Sequence, residues 1–202
     1  MSAGRKRAFD KQEALDQAMH VFWANGFAGT SLSDLTMALG VNKPSLYAAF
    51  GNKEQLFNAA VAHYMGDYST PILRGLLEPA DAPLRQRIRA YLHGVVDVVT
   101  GPGLPRGCLF VRSACEAGGA AVPEVISGTI RRSGQESETV VVDMLKAEQD
   151  HGTLSKDASA EDTARVIRAR MDGRAGLAKN GSSKASLRAA ADVAVAAVPV
   201  AG

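Results

Sequence analysis

The sequence is poor in the residues that mark most specialised classes of protein. It contains two cysteines in 202 residues, too few for a disulfide framework, which predicts a reducing, cytoplasmic setting. Aromatic residues make up 5%, and no alternating Val/Ile/Thr runs of strand type occur. No apolar run approaches the roughly 20 residues a membrane-spanning helix needs. The basic start MSAGRKRAFD has no apolar stretch after it, so it does not read as a secretory signal. Charge of one sign is not in excess either: the formal net charge is +2, too small by itself to argue for nucleic-acid binding. His20, His63, His93 and His151 are scattered, and no HExxH, nucleophile elbow, phosphate loop or paired-cysteine metal motif is present. No catalytic residue, metal ligand or cofactor is therefore expected. A small helical enzyme would need a converging polar set, and the sequence offers none.

What is present is helical spacing throughout an Ala-rich chain, so the fold class expected is all-α. The densest pattern is TSLSDLTMALGVNKPSLYAAF, residues 30–50. Thr30 and Ser31 can cap a helix, and Leu32, Leu35, Ala38 and Leu39 give it one apolar face. Gly40 ends it, because glycine enters the left-handed conformation at little cost. Val41 reads as a buried spacer. Asn42 can cap a second helix with Pro44 in its first turn, where a missing N–H costs nothing. Leu46, Ala49 and Phe50 return to the core, and Lys43, Ser45, Tyr47 and Ala48 face outward. This spacing fits a helix-turn-helix whose second helix enters a DNA major groove. On these residues alone an ordinary corner in a helical bundle fits as well.

A preceding helix spans residues 9–25, with Asp10 as cap and Glu13 three positions on. Leu15, Ala18, Met19 and Phe22 form its stripe, with His20 and Trp23 at the flanks. Gly26 stops it, and Phe27 is a core anchor. A fourth helix follows Asn52, with Lys53 and Glu54 in its first turn. Its exposed N–H groups beside Lys53 make a natural phosphate site. Arg5, Lys6 and Arg7 form a short basic arm, readable as a solvated tail or as a DNA contact.

Residues 14–57 taken together resemble the N-terminal DNA-binding domain of TetR/AcrR-type transcriptional regulators. The carrying residues are Ala18, Phe22, Gly26-Phe27, Thr30-Ser31, Leu35, Ala38, Gly40-Val41, Leu46-Tyr47, Phe50, Lys53-Glu54 and Leu56. Thr36-Met37 departs from the family pattern. The resemblance implies an N-terminal helix-turn-helix domain at 1–52 and a C-terminal helical domain at 53–202 for effector binding and dimerisation, connected by the fourth helix, about 52–66. It implies phosphate contacts from Thr30, Ser31, Tyr47 and Lys53, with Asn42, Lys43, Pro44 and Ser45 against base edges or the groove wall. It also implies double-stranded operator DNA as partner, a homodimer, and a small-molecule effector that releases a repressor from a palindrome.

The rest of the chain carries the effector half. GPGLPRG, residues 101–107, is a loop. The segment CLFVRSACEA after it is nearly all apolar and is expected to be buried on several sides. Gly134 is a possible interruption of the long helix opened by Pro123. The last two helices, about 159–179 and 183–198, have Ala-rich stripes: Ala164, Ile167, Met171 and Ala175, then Leu187, Ala190, Ala191, Ala194 and Val198. In the family, two such helices pair across the dimer. Arg165, Arg168, Arg170 and Arg174 make the first unusually charged, with Asp162 and Asp172 as possible partners.

Candidate pocket residues are Tyr64, Tyr91, Cys108, Phe110, Arg112, Cys115 and Met144. Arg112 reads either as an anion partner in a pocket or as an i,i+4 pair with Glu116. Cys108 and Cys115 sit two turns apart, roughly 10 Å along a helix, too far for a disulfide without unfolding it. Either can be a small hydrophobe, or a sensor of oxidants or electrophiles. Cys108 at a helix N-terminus is the stronger sensor candidate, because the dipole lowers a thiol pKa.

Overall fold

The computed structural model describes residues 10–200. The Arg5-Lys6-Arg7 arm lies outside them. The described residues form ten α-helices: α1 Lys11–Asn25, α2 Leu32–Leu39, α3 Lys43–Phe50, α4 Lys53–Tyr64, α5 Thr70–Leu77, α6 Leu84–Val99, α7 Leu109–Glu116, α8 Glu124–Asp150, α9 Ala160–Lys179 and α10 Lys184–Ala196. One π-helical stretch, Met65–Ser69, joins α4 to α5 without leaving helical geometry.

The N-terminal helices begin where their caps dictate. Asp10 accepts the N–H groups of Gln12 and Glu13. Ser31 and Asp34 form a reciprocal capping box, and Asn52 and Gln55 form another at α4. Gly40 at φ +64° is the left-handed stop between α2 and α3. α1 packs mainly on α4, and Ala18, Met19, Phe22, Leu35, Leu46, Leu56 and Phe57 fill the space between the first four helices. That core does not end with them. Leu109 of α7, Val122 of the turn after it, and Ile126 and Ile130 of α8 belong to it as well.

Trp23, placed by periodicity at the flank of α1, is in fact 1% exposed. Its indole donates to the Gly107 carbonyl at 3.0 Å and meets Tyr64 edge-on at 4.8 Å. Partners 84 residues away overrode the local pattern. Val41 is only half-buried and Ala38 is exposed, because two short helices cover each other incompletely.

The second core lies between α5, α6, α8, α9 and α10. At one end, buried Arg87 donates to the carbonyls of Leu76 at 2.8 Å and Ala80 at 3.2 Å and pairs with buried Glu148. The guanidinium thereby takes up the Leu76 carbonyl left free at the α5 C-terminus and the Ala80 carbonyl in the turn after it. Glu148 in turn accepts from the Thr153 hydroxyl.

Three expectations are corrected here. Gly134 does not interrupt α8, which runs unbroken for 27 residues. The glycine instead leaves room for Arg168, whose guanidinium donates to its carbonyl at 3.0 Å. Helix α7 is not buried on several sides: only Leu109 and Ser113 are buried, while Ala114 and Cys115 are exposed. The apolar stripes of α9 and α10 face their own chain. Ala164, Ile167, Ala175, Leu187 and Ala191 are buried against α6, α8 and each other, although Ala190 is exposed. What these helices leave outside is a different face, bearing Val166 at 53%, Leu177 at 50% and Val193 at 69% exposure.

Candidate functional site

The helix-turn-helix presents a compact outward surface. Asn42, Lys43, Pro44, Ser45 and Tyr47 are all exposed on α3 and its cap, while Leu46 alone of that helix is fully buried. Asn42 caps through Oδ1, which accepts the Ser45 N–H at 2.9 Å, so its amide NH2 stays available to a ligand. Ser31 caps by accepting from the Asp34 N–H at 3.1 Å. Hydrogen bonds from the Ser31 backbone and side chain hold the Asp34 carboxyl below its ordinary value.

Thr30 and Lys53 are placed differently from the expectation of phosphate contacts. Thr30 is 2% exposed and its hydroxyl donates to the Gly26 carbonyl at 2.6 Å. Lys53 donates to the Phe27 carbonyl at 2.7 Å and lies 4.2 Å from the centre of the Phe27 ring. Partial burial lowers the pKa of its ammonium. Both side chains hydrogen-bond to carbonyls of the corner between α1 and α2, Thr30 from a buried position and Lys53 from a partly exposed one.

That corner is also where the second half of the chain attaches. The Glu116 carboxylate accepts the N–H of Phe27 at 2.9 Å and of Ala28 at 3.4 Å. Arg112 donates to the Asn25 carbonyl at 2.7 Å and pairs with Glu116 at 3.2 Å. Gly26 lies beneath this pair at φ +76°, and a Cβ there would run into the Glu116 carboxylate and the Arg112 guanidinium. The i,i+4 pairing of Arg112 is thus present, and it serves to clasp the corner.

The other end of α7 lies in a cleft. Cys108 stands at the start of the helix and lines two adjoining cavities of about 780 and 440 Å³, both figures including space at the open mouth. Ser69, Tyr91, Cys108, Val111 and Met171 line both. The π-helical stretch supplies Met65 and Ser69 to the larger cavity, a use of π-bulges common at ligand sites. Of the residues expected from sequence, Tyr91, Cys108 and Phe110 line the larger cavity and Tyr64 the smaller. Arg112 and Cys115 do not, because α7 turns them toward the α1–α2 corner and solvent. Met144 is packed in the second core instead.

Sequence reasoning missed Ser137, Glu138, Arg168 and Asp172, which give the larger cavity its polar wall. The i,i+4 spacing of Arg168 and Asp172 within α9 was visible, but a surface helix would show the same pattern. Arg168 donates to Glu138 at 3.1 Å and stands 3.9 Å from Asp172. Burial pushes the Asp172 carboxyl up, with Arg168 opposing only in part. Burial also pushes the Tyr91 phenol up to about 12. The Cys108 thiol accepts a hydrogen bond from the Tyr64 hydroxyl at 3.2 Å. Burial raises its pKa despite that bond and the N–H groups of Phe110 and Val111, which act the other way. The dipole argument for a reactive Cys108 thiolate is therefore corrected: desolvation outweighs the helix terminus.

Comparisons with known proteins agree with this geometry. Residues 14–60 match the family described as "Bacterial regulatory proteins, tetR family", and residues 85–195 match "Tetracyclin repressor-like, C-terminal domain". The HTH-type transcriptional repressor ComR of Escherichia coli is 34% identical over 55% of this chain, a match that spans only 53% of ComR. The uncharacterised HTH-type regulator YezE of Bacillus subtilis is 30% identical, over 81% of this chain and 83% of YezE. Among solved structures, a cysteine mutant of the TetR family transcriptional regulator CifR in complex with operator DNA superposes with a TM-score of 0.84 at 32% identity, covering 97% of this chain and 100% of that one. The chain belongs to the TetR family of bacterial regulatory proteins.

Proposed function

We propose that the protein is a dimeric, ligand-responsive transcriptional repressor, released from a palindromic operator by a small molecule bound in the cleft around Cys108. The observation that carries this reading is α7. One end of that helix lines the cleft, and the other end is hydrogen-bonded to the α1–α2 corner of the helix-turn-helix. A ligand that displaces Phe110 and Val111 moves α7, and the corner moves with it. Such a ligand weakens DNA binding by the difference in its affinity for the two arrangements. CifR crystallised with operator DNA and the repressor ComR favour this reading and its sign.

The DNA-binding part, residues 1–52, works through Ser31, Asn42, Lys43, Pro44, Ser45 and Tyr47. Hydroxyls and Lys43 contact phosphate, and the outward side chains at the start of α3 meet base edges. Thr30 and Lys53 act by holding the corner. One such module buries too little surface for tight specific binding, so two copies reading half-sites one helical turn apart, ~34 Å, are required. Residues 53–202 provide the pairing surface through the exposed face of α9 and α10 that carries Val166, Leu177 and Val193. A protein of this kind works in the cytoplasm, where the chromosome is.

The test is affinity selection of fragmented DNA from the source genome with purified protein at moderate salt. Enrichment of a short imperfect palindrome is expected. Weak, strongly salt-dependent binding to any duplex, with nothing enriched, would overturn the reading of a specific regulator.

A further inference from the structure

The cleft is mostly apolar, but the charges along its polar wall are not balanced. Asp162, Arg165, Glu138, Arg168 and Asp172 form a chain of alternating sign. Asp162 pairs with Arg165 at 2.9 Å, Arg165 with Glu138 at 3.6 Å, and Glu138 with Arg168 at 3.1 Å. Three carboxylates share two guanidinium groups. The chain begins at the surface and ends at Asp172, half-exposed on the lining of the cleft, where among the described residues the only cation within 4 Å is Arg168, at 3.9 Å. Arg168 has already committed donors to Glu138 and to the Gly134 carbonyl. Among the described residues no donor stands within hydrogen-bond distance of the Asp172 carboxylate. Partial burial raises the pKa of that carboxyl, with Arg168 opposing.

A second polar group is unused at the same place. Tyr91 is 8% exposed and lines both cavities, and its hydroxyl has no hydrogen-bond partner among the described residues. The hydroxyl is not among the fully buried unpaired polar atoms, so it keeps accessible surface where the residue lines the cleft. The Asp172 charge acts directly on the Tyr91 phenol, so the two groups share one region of the cleft. Around them stand Met65, Leu73, Phe110, Ile167 and Met171, a surface for an apolar body.

We propose that the cleft selects an amphiphilic cation: a molecule with an ammonium group, held by the Asp172 carboxylate and the Tyr91 hydroxyl, and an apolar body lying against Phe110 and Met171. This deepens the reading of the cleft as the effector site and rests on it. An ammonium supplies donors to Asp172 and can lie near the aromatic faces. A carboxylate ligand in the same position would face Asp172 and Glu138, with the one guanidinium already engaged. A neutral ligand would leave the excess carboxylate unpaired.

The experiment is calorimetric titration of the full-length protein with three probes of one shape and different charge: phenylpropylamine, phenylpropanol and phenylpropionate. The same titrations are made on Asp172→Asn and Tyr91→Phe. The amine is expected to bind tightest. Asp172→Asn should weaken it by about tenfold or more, as expected for loss of a charged hydrogen bond, while leaving phenylpropanol within about threefold. Tyr91→Phe should weaken the amine by a smaller factor. If phenylpropionate binds as tightly as the amine, or if Asp172→Asn leaves the amine unchanged, the charge selection is refuted while the cleft remains an effector site. If none of the three probes binds, both the selection and the effector-site reading are overturned.

Discussion

The contact between α7 and the α1–α2 corner offers a direct perturbation, Glu116→Ala. The Glu116 carboxylate accepts two backbone N–H groups, at 2.9 and 3.4 Å, and pairs with Arg112 at 3.2 Å. Hydrogen bonds to a charged group contribute about 1.5–3 kcal/mol when they are sheltered from water. This carboxylate is 21% exposed and Arg112 26%, so the ion pair itself adds little beyond those bonds. Losing the carboxylate should therefore make local opening at the corner about ten to a hundred times more frequent. Amide hydrogen exchange reads this directly. The Phe27 amide should exchange faster by that factor, whereas the amides of Leu56 and Phe57 in the core below should not change. Glu116→Gln keeps an acceptor and loses the charge, so it should fall between parent and Ala. Unchanged exchange at Phe27 in Glu116→Ala would refute the claim that α7 clasps the corner, and with it the proposed route from cleft to DNA.

Other consequences follow from single sites. Replacing Arg87 by Met, which strands buried Glu148 and frees the Leu76 and Ala80 carbonyls, should cost about 3–5 kcal/mol in urea denaturation; a loss below about 1 kcal/mol would contradict the hub assigned to it. Lys43→Ala should lower operator affinity and reduce the slope of log K against log salt by about one, and an unchanged slope in filter binding would remove Lys43 from the phosphate contacts. Exposed Cys115 should react with iodoacetamide at neutral pH well ahead of Cys108, whose buried thiol stays protonated; faster labelling of Cys108 by mass spectrometry would restore it as a sensor. The Asp172 carboxyl is raised in the folded state from its ordinary 3.8, so the fold binds this proton more tightly than the unfolded chain and loses stability as pH rises through the folded value. Asp172→Asn should accordingly melt at a higher temperature than the parent at pH 7, with the gap closing toward pH 4, and a lower melting temperature at pH 7 would show that Arg168 outweighs burial.

Local patterns determined much of this protein. Capping residues and glycine stops lie within a few positions of the helices they bound, so Asp10, Ser31, Gly40, Asn42 and Asn52 revealed the N-terminal helices directly. The outward residues of α3 were legible for the same reason: an eight-residue helix has one buried position, and its period tells the faces apart. Tertiary structure decided what depends on a partner distant in sequence. Nothing near Trp23 announces that Gly107 will accept its N–H. Nothing near Thr30 or Lys53 shows that carbonyls of the corner will accept hydrogen bonds from their side chains. Periodicity found the stripes of α9 and α10 but could not say whether a second subunit or their own chain covers them, since an apolar face is buried equally well by either. The cleft was least legible of all. Its polar wall joins α8 to α9, and helical spacing reports which residues share a face of one helix but not which two faces meet.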